Sequence, residues 1–379
     1  MRFVGLCLAL CLCAAAQTEL QPTQTNSGFD DLAQRAGAAF EKDPGAAADL
    51  YRQALAIQPS WAEGWFNLGA TLYQRGHYED AKIAFGRTAE LAPEKGVVWA
   101  FLGLCEYQGH NYRAALANFE KGEALGLPDK RDFVSTVHNR AADICIRAGE
   151  FSAAIDQLKP LALLGDESGG TIEAFGISAL GLPYLPSEVP AAKKALVQLA
   201  GRAAWEMSAA RDADAAKDLS QLVAQFPNEA GVHYLDGLCL MAHEGEKARA
   251  EFQRELQINP AHVAARLQIA ILSIRSGDPR EAAVLAREAV RRQPGNALAH
   301  AVLARAYMQQ NELIKAMPEL QTAARIAPLN AQIHLYLEQV YSRLGKTPEA
   351  EKEKAEFVKL RSRHDSLGVP LLPDVAGNQ

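Results

Sequence analysis

The stretch Trp61–Pro93, "WAEGWFNLGATLYQRGHYEDAKIAFGRTAELAP", decides the fold, because the pattern that closes it recurs down the chain. An alanine is followed four residues later by a large apolar residue, three later by a small one, and then by proline. Punctuating prolines stand at Pro59, Pro93, Pro128, Pro227, Pro260, Pro294 and Pro328, at intervals of 34, 35, 99, 33, 34 and 34 residues. Ahead of most of them the pattern reads Ala47-Tyr51-Ala54, Ala81-Phe85-Thr88, Ala115-Phe119-Gly122, Ala248-Phe252-Glu255, Ala282-Ala286-Ala289 and Ala316-Leu320-Ala323. Residues at i, i+4 and i+7 share one face of a helix. Earlier in each unit a second apolar face appears, as in Trp65, Leu68, Gly69 and Leu72 or Leu303, Ala304 and Tyr307, and a turn with Gly76, Gly109, Gly277 or Gly345 separates the two. Proline ends the second helix because it lacks an N–H and crowds the preceding turn. Abundant alanine and few β-branched runs favour helix for the same chain. The expected class is all-α.

These residues resemble the tetratricopeptide repeat family, whose helix–turn–helix unit of about 34 residues has the pattern W-x2-L-G-x2-Y, then G, A, F, A and P. Trp65, Leu68, Gly69, Gly76, Tyr78, Ala81, Phe85 and Pro93 stand in register, with Leu72 in place of the usual tyrosine and Thr88 in place of the usual alanine. The resemblance implies an α-solenoid, a right-handed superhelix of antiparallel helix pairs, with roughly eight to nine repeats between about residues 28 and 360. It also implies that the chain binds a protein or peptide along its concave groove. A single unit cannot bury both of its apolar faces alone, so repetition is what makes the array stable, and its ends require caps. The last helix, "TPEAEKEKAEFVKLRSR", carries Lys354 where its relatives have an apolar residue and reads as a solvated cap.

The 99-residue interval contains one recognisable unit, with Ala141, Phe151, Ala154 and Leu158, and then an irregular insertion near 164–190. A short helix is expected near 171–180 and two more near 190–209 and 212–225. Between them "GLPYLPSEVP" should be extended, since residues before proline avoid the helical region. With Leu182, Tyr184 and Leu185 this loop reads either as a docking arm or as a cover folded over its neighbours. The expected organisation is a leader at 1–16, a linker at 17–27, an N-terminal lobe at 28–163, the insertion, a C-terminal lobe at 191–364 and a tail at 365–379.

The opening residues, "MRFVGLCLALCLCAAAQ", place Arg2 before an apolar run from Phe3 to Cys13 and small residues at Ala14–Ala16, the layout of a secretory signal cleaved after Ala16. The run is far shorter than the ~20 residues a membrane-spanning helix needs. A lipid-anchor site requires a small residue before its cysteine, and Leu10 and Leu12 stand there instead. The chain should therefore be exported, to the periplasm or beyond the cell, with no stable membrane span. Its net charge of −6 argues against nucleic acid as a partner. Beyond the leader only Cys105, Cys145 and Cys239 remain, too few and too scattered for a disulfide framework; each reads as a small buried hydrophobe.

No chemistry emerges from the motifs. "GDESGG" at Gly165–Gly170 echoes a serine-protease signature but carries Glu167 as an extra residue, and "HEGEK" from His243 lacks the second histidine of a zinc helix. No phosphate loop, dinucleotide fingerprint or C-x-x-C is present, and no cofactor or metal is implied. His138, His300 and His334 take the place of Trp65 and Trp99 in their repeats and read as packing substitutions. By register with the family, the groove-facing residues are Phe66, Tyr73, Gln74, Leu104, Tyr107, Gln108, Asn139 and Arg147 in the first lobe. In the second they are Arg275, Arg305, Met308, Gln309 and Arg343. Aromatic and arginine side chains carry much of the energy at interfaces, though the same aromatics could pack between repeats. Two functions stay in view: a non-enzymatic scaffold holding a protein or peptide, and an envelope-processing enzyme with a site near Asp166, Glu167, His138 and Tyr184.

Overall fold

A computed structural model describes residues 27–367, so the expected leader, most of the linker and most of the tail lie outside the described residues. The described chain forms 19 α-helices and divides into two compact units between Arg211 and Asp212. In the first unit the helices pair in chain order: α1 (Ser27–Ala39) with α2 (Pro44–Ile57), α3 (Ala62–Gln74) with α4 (Tyr78–Leu91), α5 (Gly96–Gln108) with α6 (Tyr112–Leu125), α7 (Arg131–Arg147) with α8 (Phe151–Leu163), and α9 (Gly169–Leu180) with α10 (Lys194–Ser208). The second unit begins with α11 (Asp212–Gln225). Its pairs are α12 (Val232–Leu240) with α13 (Gly245–Ile258), α14 (Val263–Arg275) with α15 (Pro279–Arg292), α16 (Ala297–Gln309) with α17 (Leu313–Ile326), and α18 (Ala331–Arg343) with α19 (Thr347–Leu367). Each unit is an all-α solenoid, every hairpin packing on the next.

The recurring letters explain the hairpin. The aromatic residue of the second helix enters the first helix where a side chain is missing: a Cβ at Gly69 would lie 2.8 Å from the Phe85 ring, one at Gly103 2.5 Å from Phe119, and one at Gly237 2.5 Å from Phe252. All three phenylalanines are fully buried. Where the second helix offers less bulk, the first offers a methyl group instead, as Ala270 with Ala286 and Ala304 with Leu320, all in the core of the second unit. Volume is therefore conserved across the hairpin, which close-packed interiors require.

A second recurring device ties each first helix to the proline before it. Trp65 and Trp99 donate their indole N–H to the carbonyls of Pro59 and Pro93 at 2.8 and 2.9 Å. His300 and His334 replace tryptophan and make the same bond from Nε2 to Pro294 and Pro328, both at 3.0 Å. His233 does so with Pro227 at 2.9 Å, and Arg266 with Pro260 at 2.9 Å. His138 is buried but makes no such bond, because α7 starts earlier than its counterparts and its 17 residues leave Pro128 out of reach.

Two expectations change. The first concerns the boundary after residue 190: residues 191–211 belong to the first unit, because α9 and α10 touch backbone to backbone. A Cβ at Gly176 would sit 1.9 Å from the Val197 carbonyl oxygen, and one at Gly201 2.0 Å from that of Ile172. The second concerns the proline-rich insertion, expected to be extended: it holds a short 3-10 turn over Pro186–Glu188, and of its two readings the cover is the one that matches, since it folds back on α9 with Leu185 and Val189 buried. The turn after α5 contains Gly109 as expected, with its left-handed residue one position on. Gly109 keeps a φ of −79°, and the left-handed residue is His110 at 60°; Ala210 and Asn311 take the same place in their own turns at 56° and 59°.

Candidate partner-binding face

First helices of neighbouring hairpins touch directly, α5 with α7 and α7 with α9 in the first unit, α14 with α16 and α16 with α18 in the second. Their outward residues form one face in each unit. In the first unit most of the expected contact residues are occupied by packing. Phe66 stacks edge-on against Phe85 and Phe101, with ring centroids at 5.6 Å in each case. Tyr73 packs edge-on against Tyr78 and Phe101, and burial pushes its phenol up to about 12, while Gln108 hydrogen-bonds to it. Leu104 is buried at 3% exposure and belongs to the core. Asn139 donates to the Ser135 carbonyl and to Thr171 Oγ1 at 2.9 and 3.0 Å. Gln74 is exposed.

Sequence reading missed a polar cluster on this face. The Tyr107 hydroxyl donates to Asp143 Oδ2 at 3.0 Å, Arg140 reaches the same oxygen at 2.8 Å, and its guanidinium lies over the Tyr107 ring. Burial pushes the Asp143 carboxyl up against the opposing pull of Arg140, and burial followed by the Asp143 charge lifts the Tyr107 phenol to about 12. The available signal was a carboxylate at Asp143, four residues beyond Asn139 and set between the apolar residues Ala142 and Ile144 of α7. Arg147, exposed at the end of α7, pairs with Glu188 of the folded-back insertion at 3.6 Å.

The second unit presents a different face. Arg275 is exposed at the end of α14 and makes no ion pair or side-chain hydrogen bond among the described residues. Arg305 is half-buried on α16. Gln309 donates to the Ile274 carbonyl at 3.3 Å, and Arg343, at the same register on α18, donates to the Met308 carbonyl at 3.4 Å and to Asn311 Oδ1 at 2.7 Å. This stitch fixes each first helix to its predecessor while leaving both side chains exposed. Met308 is buried at 8% and packs in the core.

The groups of the enzymatic alternative have separate partners. Glu167 pairs with Arg202 at 2.8 Å and Arg211 at 3.5 Å, whereas His138 is buried with Glu123 3.6 Å from its Nδ1. Asp166 caps the start of α9, accepting from Ser168 N at 2.9 Å and Thr171 Oγ1 at 3.1 Å. Burial alone would raise its carboxyl, but hydrogen bonds from Ser135, Ser168 and Thr171 hold it below the usual carboxylate range. "GDESGG" is thus a helix start. Among the described residues no group of three or more His, Cys, Asp or Glu could hold a metal ion, and no helix is long and apolar enough to cross a membrane. Cys105, Cys145 and Cys239 are free, the first two buried.

A stacked series of helix hairpins locked by small and aromatic residues, with variable residues on the first helices, defines the class: an all-α repeat solenoid. The chain carries tetratricopeptide repeats: residues 62–95 and 273–339 match models of that repeat. Among curated proteins it is similar to the "Protein SGT1 homolog" of Bos taurus, 33% identical over 92 residues. That stretch is 24% of this chain, and the match spans about a quarter (27%) of the relative's length. Among solved structures it is similar to a MamA RS-1 double mutant, 19% identical, with a TM-score of 0.41 over 45% of this chain and 97% of that one. It is similar also to MamA from Desulfovibrio magneticus RS-1, 18% identical, with a TM-score of 0.39 over 45% and 96%.

Proposed function

We propose that this chain is an exported, non-enzymatic scaffold that holds a protein or peptide along the first-helix face of its second unit, where arginines take carboxylates of the partner. Tetratricopeptide repeats support protein binding in general terms. The observation that carries the finer reading is the placement of Arg275, Arg305 and Arg343 on successive first helices, with Arg275 exposed and unengaged among the described residues. Arginine's planar fork suits bidentate binding of a carboxylate. The aromatics of the first unit are spent on packing, which leaves that face less suited to capture. Export rests on the leader-like first 16 residues, and a mature protein beginning at Gln17 by mass spectrometry would support it.

A photo-crosslinking residue distinguishes the faces. Placed at Gln309 on the first-helix face, it should capture a partner in the native host. Placed at Val284 or Ile314, which are 62% and 71% exposed on second helices, it should not. Capture from the second helices alone would overturn the assignment.

A further inference from the structure

The prolines that end the hairpins give each repeat the same edge, and the two units furnish it with residues of opposite charge. The third residue before the proline is Ala56, Glu90 and Leu125 along the first unit, and Arg291 and Arg325 at Pro294 and Pro328 of the second. The residue after it is Ser60, Glu94 and Asp129 in the first unit, and Gly295 and Leu329 at those same two prolines of the second. Glu63, Glu94 and Asp129 are exposed and make no ion pair among the described residues, while Glu90 pairs with Arg87 at 2.8 Å. On the second unit Arg291 and Arg292 are exposed and share the single carboxylate of Glu288, each at 2.7 Å, and Arg325 is exposed with no ion pair among the described residues. No acidic residue stands between Glu288 and Glu312, nor between Glu319 and Glu338. This edge is therefore cationic, and that of the first unit is anionic.

The apolar residues on the two edges differ in shape as well. On the first unit the start of α3, the connection from α4 to α5 and the connection after α6 border an open pocket of about 290 Å³. Phe66, Val97, Leu125 and Leu127 form its apolar walls. Glu63 and Glu94 line it too, with Lys95 as the one cation among its lining residues. On the second unit the leucines protrude instead: Leu329, in the connection from α17 to α18, is 69% exposed, and Leu298, in the first turn of α16, is 47% exposed. The two connections adjoin, because α16 touches α18. Leucine left in water is a cost that a matching apolar pocket removes.

We propose that two copies of this chain associate through these unlike edges: Leu329 of one copy enters the pocket lined by Phe66 and Leu127 on a second copy, Leu298 covers the apolar surface beside it, and Arg291, Arg292 and Arg325 face Glu63, Glu94 and Asp129. An apolar anchor seated in a pocket and surrounded by complementary charge is the pattern that concentrates binding energy at interfaces. Pairing either edge with its own kind would bring like charges together, which disfavours a symmetric dimer. The contact is heterologous, so each copy keeps one free leucine edge and one free pocket, and association continues into longer assemblies unless a ring closes. Arg275, Gln309 and Arg343 take no part in it.

Sedimentation of the full chain over about two decades of concentration, starting near 1 μM, reads the association directly. The average mass should rise with concentration, and the rise should shrink in about 0.5 M salt, where exposed charges are screened. E63K/E94K blocks the pocket and R291E/R325E blocks the leucine edge, so each should stay monomeric with an unchanged circular dichroism spectrum. Mixed in equal amounts they should associate again, because an intact leucine edge then meets an intact pocket. L329S changes one exposed side chain and should weaken association by about 10-fold or more. R275E/R343E, with the same change of charge as R291E/R325E, should assemble as the wild type does. A photo-crosslinking residue at Leu127 should join two copies of the chain in the native host. A wild type that stays monomeric throughout overturns the proposal. So do a mixture of the two blocked variants that remains monomeric, equal loss of assembly in R275E/R343E, and capture of a different protein at Leu127 in place of a second copy.

Discussion

At the scale of single residues, two positions carry strain or charge states that a measurement can reach. Ala210 holds a φ of 56°, which costs an alanine roughly 1–2 kcal/mol that glycine avoids. Ala210→Gly should stabilise the chain by about 0.5–1 kcal/mol in urea unfolding, the gain being partly offset by the freer unfolded glycine. His262 caps α14 as an acceptor, and burial lowers its pKa from 6.5 to about 4. Its contribution is fully present above pH 6.5 and is lost as pH falls from there toward 4, because the unfolded imidazole takes up a proton that the folded one resists. His262→Asn keeps a capping oxygen without the titration, so it should flatten the acid side of the stability profile between those values. The exchange of tryptophan for histidine was legible in the sequence at His300 and His334 because the spacing from the preceding proline is preserved. Their carboxylate partners, Glu319 and Glu353, were not, since a glutamate 19 residues away looks like any solvated helix residue. The turn at Gly109 was legible from its glycine, but that its left-handed residue is His110 was not, because a histidine gives no such signal.

At the scale of elements, the hairpins were legible wherever alanine, aromatic and proline kept their 34-residue spacing, and illegible where contact runs through backbone. Gly176 and Gly201 show why. Each carbonyl contact requires that nothing stand on the facing Cα, and a glycine in a helix announces only an absence. Gly201→Ala would put a methyl about 2 Å from the Ile172 oxygen and should destabilise the first unit by about 3 kcal/mol, read as an earlier transition in tryptophan emission. Gly86→Ala, whose added Cβ meets nothing within 4 Å on α4, is the control and should be neutral or slightly stabilising. The boundary between units was misread for the same reason: a proline-rich loop suggested a break, but α10 returns across it to pack on α9.

At the scale of the whole molecule, the repeated letters specify stacking and the changing letters remain for recognition. The candidate contact set narrows once packing is known. Leu104 and Met308 are core residues, Phe66 and Tyr73 are part of an aromatic stack, and Tyr107, Gln108 and Asn139 are tied into internal hydrogen bonds. Register alone predicts which helix face a residue occupies, but its availability depends on neighbours 32 to 36 residues away that only the folded chain brings near. What remains, Gln74, Arg147, Arg275, Arg305, Gln309 and Arg343, is dominated by arginine. The most direct measurement is the affinity of a partner crosslinked at Gln309 for the wild type and for R275E/R305E/R343E, with circular dichroism and melting temperature confirming that the variant folds. Loss of binding by 100-fold or more is expected if the three charges engage carboxylates. Undiminished affinity in a folded variant would contradict the account.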